Sequence, residues 1–229
     1  MFENSDFWNN WWRAFVGIIE PAIWSTLRML FFSMIFAIII GFVIGIVMVI
    51  TGPTGLQPRK KIYGVLDFFV NIIRSFPIII LIVAISPITR IIVGTTIGEK
   101  AAILPLTIAA APFIARIIET SLLAVDSQLI EAARSFGMSD IQIVFRVLIR
   151  ESFPAIIAGI TLSAITFLSA TTLAGAVGAG GLGAVALNYG YQSFNDSVLY
   201  TSVFILLIMV QIIQMIGNRL YKKSLKGGK

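Results

Sequence analysis

Apolar residues run through this chain in long unbroken stretches, and polar residues gather between the stretches rather than alternating with apolar ones. Five stretches match or exceed the ~20 residues with which an α-helix crosses a bilayer: 22–50, 62–85, 101–123, 155–176 and 198–216. The pattern predicts an all-α membrane protein, one transmembrane domain over 1–229 with five spanning helices. The most polar interval, 127–154, holds Glu131, Arg134, Asp140, Arg146, Arg150 and Glu151. Unpaired charges are costly in hydrocarbon, so this interval lies outside the membrane. Asp126 or Ser127 suits the cap of a short helix there, and Gly137 suits its end, because glycine takes the left-handed conformation without strain. Ser139 and Gln142 form a capping box for a second helix whose apolar face is Ile141, Val144, Phe145 and Leu148.

Before the first span, Trp8, Trp11, Trp12 and Phe15 recur at near-helical spacing. Half-wet indoles favour the headgroup boundary, and the other reading is a disordered tail. Acidic residues ahead of any basic one, with no small-residue cleavage site, argue against a signal peptide. In the first span Arg28 snorkels to the surface, and Gly41 and Gly45 make a GxxxG pair that either admits a neighbouring helix or is incidental. The second span carries Asp67, Asn71 and Arg74 at i, i+4 and i+7, a polar stripe that either lines the mouth of a pathway or is a satisfied interfacial cluster. Pro77 should kink that span. Residues 86–100 read as an outside loop. The third span bends at Pro105 and Pro112 and ends in a local Arg116–Glu119 pair. The fourth is rich in hydroxyl and small residues, which either bond back to their own helix or face something polar. Ser163 and Thr166 on it are candidate pathway residues, with Arg74 and Asn71.

Two glycine patterns mislead. Residues 94–100 lack the spacing of a phosphate loop, with Glu99 between the second glycine and Lys100. Gly178, Gly180 and Gly183 have the spacing of a dinucleotide fingerprint but follow a membrane helix, so with Gly181 they predict a compact external turn instead.

Composition sharpens this picture. Of 229 residues, 58% are hydrophobic and only 12% charged, which excludes an ordinary soluble domain. The formal charge of +6 does not point to nucleic acid, because most of the 17 basic residues fall in 59–61, 134–150 and 219–229. A positive-inside distribution puts those segments in the cytoplasm, with the N-terminus outside and the C-terminus inside. The chain has neither cysteine nor histidine, which removes disulfides, thiolate chemistry and imidazole-based metal or proton-relay sites. No acid and base pair sits inside the spans, so catalytic and metal residues are expected to be absent.

Glu131-Ala132-Ala133, three residues, Gly137, nine residues and Val147 together resemble the EAA loop of ABC importer permeases of type I. The family's closing Leu-Pro pair is replaced here by Ile149 and Arg150. An amphipathic hairpin lying on lipid is the other reading of the same interval. The whole chain is similar to permeases of the methionine type, through Arg74-Ser75-Phe76-Pro77, the glycine-rich turn, 189–192 and 211–219. Glycine-betaine or choline permeases share the loop and the GAGGLG turn and stand as the rival. The resemblance implies a homodimer in the inner membrane, two cytoplasmic ATPase subunits that carry ATP and magnesium, and an external binding lipoprotein. It implies coupling to the ATPase through Glu131, Ala132, Ala133, Gly137, Arg146 and Val147, and no cofactor on this chain, which has no Walker sequence. A secondary transporter or channel is the alternative outside the family. It would need mid-membrane ionisable groups or internal repeats, and only Arg74 stands well inside a span.

Overall fold

The computed structural model describes the backbone of residues 3–227 and the side chains of 8, 9 and 11–226. No strand occurs among the described residues. Helix α1 (Glu3–Ala14) continues through a widened π turn, Phe15–Ile19, into α2 (Glu20–Thr51). Then follow α3 (Lys60–Ser75), α4 (Ile78–Val93), α5 (Glu99–Leu123), and the short α6 (Ser127–Ser135) and α7 (Asp140–Gln142). A second π turn, Ile143–Leu148, joins α7 to α8 (Ile149–Ala174), and after α9 (Gly181–Ala184) the long α10 (Asp196–Gly227) completes the chain. Four stretches, Trp11–Thr51, Glu99–Leu123, Asp140–Ala179 and Asp196–Lys226, are long and apolar enough to cross a membrane, and α3 with α4 supplies a fifth. The all-α, five-span expectation holds, but several boundaries move.

The tryptophan segment is not a separate surface element. It is the start of the first long helix, held where Trp11 Nε1 donates to Thr201 Oγ1 at 3.1 Å and the Trp11 ring stacks on Phe15. The second span is two helices rather than one kinked one. Phe76 is extended at φ −75°, ψ 133°, because a residue before proline is pushed out of the helical region, and Pro77 then precedes a fresh helix start. The loop expected over 86–100 shrinks to a few residues, since α4 runs on until Gly94 ends it at φ 84°. Pro154, expected to end the two-helix loop, lies inside α8. One missing N–H does not break a helix that is buried on both sides of the proline, at Leu148 and Ile156.

The chain forms two compact units. The first gathers residues through Ile35, Pro77–Thr107 and Ala164–Ile212. Its centre is the glycine-rich turn, where Gly178, Gly180 and Gly181 have φ of 92°, 81° and 77°. The fully buried Thr26 clasps the turn, accepting from Leu182 N–H at 2.9 Å while its own hydroxyl donates to Ala22 O. A methyl at Gly181 would stand 2.7 Å from that Oγ1, and Gly98 N–H donates to Gly178 O at 2.9 Å. The compact turn expected from the sequence is therefore a buried knot that satisfies its own backbone. Arg28 in this unit does not merely snorkel. Its guanidinium forks onto Glu99, with Nη2 at 2.9 Å and Nε at 3.0 Å from the two carboxylate oxygens.

The second unit gathers Phe36–Phe76, Ile108–Ser163 and the chain from Ile213. Gly41 and Gly45 bring α2 directly onto α5: an added methyl would lie 2.6 Å from Ala111 O at the first and 2.8 Å from Ala115 O at the second. The GxxxG pair is thus a close helix contact. Just beside it, Met48, Val70 and Ala115 form a buried core with Tyr63 and Leu66 packed against them. Gly159 allows the same approach of α8 to Ile117, and Gly217 of α10 to Thr161.

Candidate functional site

The two-helix loop is built by local rules that agree with one another. Asp126 Oδ1 accepts from Gln128 N–H at 2.9 Å and starts α6. At the other end Met138 N–H donates to Ala133 O at 3.1 Å around a shorter Gly137 N–H to Arg134 O bond of 2.9 Å. This paired cap needs a left-handed residue at Gly137, whose φ is 73°. Ser139 and Gln142 then form the capping box reciprocally, at 3.0 and 3.4 Å. Ala133, Ile143, Val144 and Leu148 are buried, so α6 packs on the π turn that follows α7.

The apolar face differs from expectation. Val144 and Leu148 face inward with Ile143, but Ile141 is 70% and Phe145 56% exposed. The turn over Ile143–Leu148 closes i→i+5 rather than i→i+4 bonds, so a 3.6-residue period does not carry through it. Phe136, on the glycine turn, is 88% exposed. Three large apolar side chains thus stand out from a turn pinned at both ends. Glu131, Ala132 and Arg146 are exposed beside them, and Val147 is half-buried. The segment after α2 braces the loop: Gln57 Nε2 donates to Asp140 Oδ2 at 2.7 Å, and Arg134 reaches Leu56 O at 3.4 Å.

A second polar constellation lies between α3 and α5. Arg116 Nη2 donates to Asp67 Oδ1 at 2.5 Å and to Asn71 Oδ1 at 3.1 Å, while Nη1 donates to Glu119 Oε2 at 2.6 Å. The stripe on α3 and the local pair on α5, separate in the sequence, are one network. Arg74 stands apart from it, with its guanidinium carbon 5.0 Å from the centroid of the Phe113 ring.

Hydroxyls on α8 mostly bond back to their own helix, Thr161 to Ile157 O at 2.8 Å and Thr171 to Leu168 O at 2.6 Å. Ser163 is buried and Thr166, three residues on, is exposed. Of the turn glycines, Gly183 is excluded from carrying a side chain by the backbone of Thr172. Sequence reasoning passed over Phe136. The signal was a large aromatic directly before a helix-ending glycine, where no core can receive it.

Comparison with known proteins places the fold. A family model of binding-protein-dependent transport system inner membrane components matches residues 41–224. A probable D-methionine transport system permease protein MetI of Vibrio cholerae is 40% identical over 213 residues, covering 93% of this chain and 95% of its own length. The D-methionine transport system permease protein MetI of Escherichia coli is 44% identical over 151 residues, 66% of this chain and 70% of its own. The solved structure of inward-facing conformations of the MetNI methionine ABC transporter superposes with a TM-score of 0.89 at 42% identity, over 91% of this chain and 97% of that one. An amino acid ABC transporter crystallised with histidines, 19% identical with a TM-score of 0.73 over 89% of this chain and 92% of its own, shares the fold. The matched interval runs from the Gly41 helix contact through the two-helix loop and the glycine knot into α10, and this chain belongs to the family of binding-protein-dependent transport system inner membrane components.

Proposed function

We propose that this chain is the permease subunit of an ATP-driven methionine importer, working as a homodimer with two cytoplasmic ATPase subunits and an external binding protein. The observation that carries the reading is the 40% identity to a D-methionine transport permease through 93% of the chain. The two-helix loop supports it in detail. An interface that transmits force needs a rigid, apolar centre with a polar rim, and Phe136, Ile141 and Phe145 rimmed by Glu131 and Arg146 have that composition. ATP binding closes the ATPase pair, moves the two loops and turns the permease from inward-facing to outward-facing. Asn71, Arg74, Ser163 and Thr166 line the pathway, and the knot at Gly178, Gly180, Gly181 and Gly183 lies on the external side.

Purified with its ATPase and binding protein in lipid vesicles, the complex should hydrolyse ATP faster with D- or L-methionine than with other amino acids. Greater stimulation by glycine betaine or choline would overturn the cargo, and failure of any ATPase to co-purify would overturn the permease role.

Orientation follows from the basic segments at 59–61, 134–150 and 219–229. The N-terminus is external and the end of α10 cytoplasmic. Because the chain has no cysteine, Lys226→Cys creates a single reporter. A membrane-impermeant thiol reagent should label it only after cells are opened; labelling on intact cells would reverse the topology.

A further inference from the structure

Two arginines enter the apolar part of the second unit, and they are treated in opposite ways. Arg116 is answered on every side, by Asp67, Glu119 and Asn71. Arg74, one turn beyond Asn71 on α3, has no carboxylate within ion-pair distance among the described residues. The two nearest acids of its helix neighbourhood, Asp67 and Glu119, are already engaged by Arg116. Its Nε is buried with no hydrogen-bond partner, while the side chain as a whole is only half-buried.

An unpaired cation within a membrane span is expensive, and a buried donor with nothing to bond adds to that cost. A purely structural arginine would be expected to have been given a partner, as Arg116 was. What the fold supplies instead is the Phe113 ring beneath the guanidinium. Stacking of that kind fixes the plane of the group and satisfies part of its charge, yet leaves the N–H donors at its edge free for a planar anion. A carboxylate matches that edge with two parallel charge-assisted hydrogen bonds.

We infer that Arg74, held by Phe113, binds the α-carboxylate of the cargo amino acid on its way through the permease. This rests on the reading of the chain as an amino-acid importer. A zwitterionic amino acid with a thioether side chain offers one anionic group, since the sulfur is only a weak acceptor. Recognition through that group is indifferent to the hand of the α-carbon, so D and L forms bind Arg74 alike. The site selects amino acids as a class and leaves the choice among side chains to other contacts.

The test is a cycle between protein and ligand. The complex of the full chain with its ATPase is placed in lipid nanodiscs without binding protein. Equilibrium binding is then measured for methionine and for methioninol, in which an alcohol replaces the carboxylate. Wild type should bind methionine roughly ten-fold or more tighter than methioninol, the usual size of a hydrogen bond to a charged group. Arg74→Gln should weaken methionine by a similar factor and leave methioninol unchanged, and Arg74→Lys should recover part of the loss. Equal weakening of both ligands would assign Arg74 to structure alone. Unchanged methionine binding in Arg74→Gln, or a wild type that binds methionine no better than methioninol, would also overturn the proposal and leave the guanidinium to a lipid phosphate or a carboxylate of a second copy. If the binding-protein assay selects a different amino acid, the methionine reading fails by itself, and the same cycle with that cargo and its alcohol analogue still decides the role of Arg74.

Discussion

Replacing Arg116 with alanine is expected to cost about 3–5 kcal/mol of stability, the range for removing one partner from a buried ion pair. The reason is Glu119, which is 2% exposed and depends on the Arg116 guanidinium for its neutralisation. Without that group the carboxylate must stay charged in an apolar surrounding or take up a proton, and either is unfavourable. Asp67 loses its partner in the same step but is about one-third exposed, so it adds less. Arg116→Lys should recover only part, because one ammonium cannot serve Asp67, Asn71 and Glu119 in the geometry of a fork. The diagnostic variant neutralises all three charges together, Arg116→Met with Glu119→Gln and Asp67→Asn, which should restore most of the stability that Arg116→Ala loses. The unfolding midpoint of the purified complex reads all of these. A wild-type midpoint for Arg116→Ala would mean the network adds nothing to the fold.

That network also marks where the sequence stops being informative. Helical spacing puts Asp67, Asn71 and Arg74 on one face of α3 and pairs Arg116 with Glu119 on α5, since both are local facts. It does not say that a residue 49 positions away completes the first group, nor that Arg28 finds Glu99 across 71 positions. The same boundary separates the two prolines. Pro77 breaks its helix where Phe76 is exposed and packing opposes nothing, while Pro154 is overruled between buried Ser152 and Ile156. Local chemistry decided the backbone wherever it acted alone, as at Gly137, Ser139 and Gln142. It failed at Ile143–Leu148, where a π turn rotated Ile141 and Phe145 away from the face that the spacing gave them. Thr26 was likewise unreadable, because nothing in its own segment marks it as the clasp of a glycine turn 156 residues on.

Phe136→Ala should weaken assembly with the ATPase by about 2–4 kcal/mol, the size of an interface hot spot, which is on the order of 30- to 1000-fold in affinity. The side chain is 88% exposed in the free chain, so its loss should leave the fold of the permease itself unchanged. This makes it a cleaner probe than the glycine beside it. Gly137 has open space around its α-carbon, so Gly137→Val meets no clash, but its φ of 73° costs a β-branched residue roughly 1–2 kcal/mol. That strain falls on the paired cap from Met138 and Gly137 back to α6, and so on the direction in which Phe136 points. Gly137→Asn should be milder, since asparagine tolerates the left-handed region. Glu131→Lys acts at the rim, where an exposed charge contributes about 1 kcal/mol or less and shows mainly as a changed salt dependence of association. The expected order of damage to ATPase affinity is therefore Phe136→Ala, Gly137→Val, Gly137→Asn, then Glu131→Lys, with the Gly137 variants also raising the ATP hydrolysed per methionine imported. An ATPase that binds Phe136→Ala as tightly as wild type would place the docking face elsewhere. The exposed phenylalanine would then belong to a hairpin resting its apolar edge in the lipid headgroups, and Ile141 and Phe145 would be expected to lie there with it.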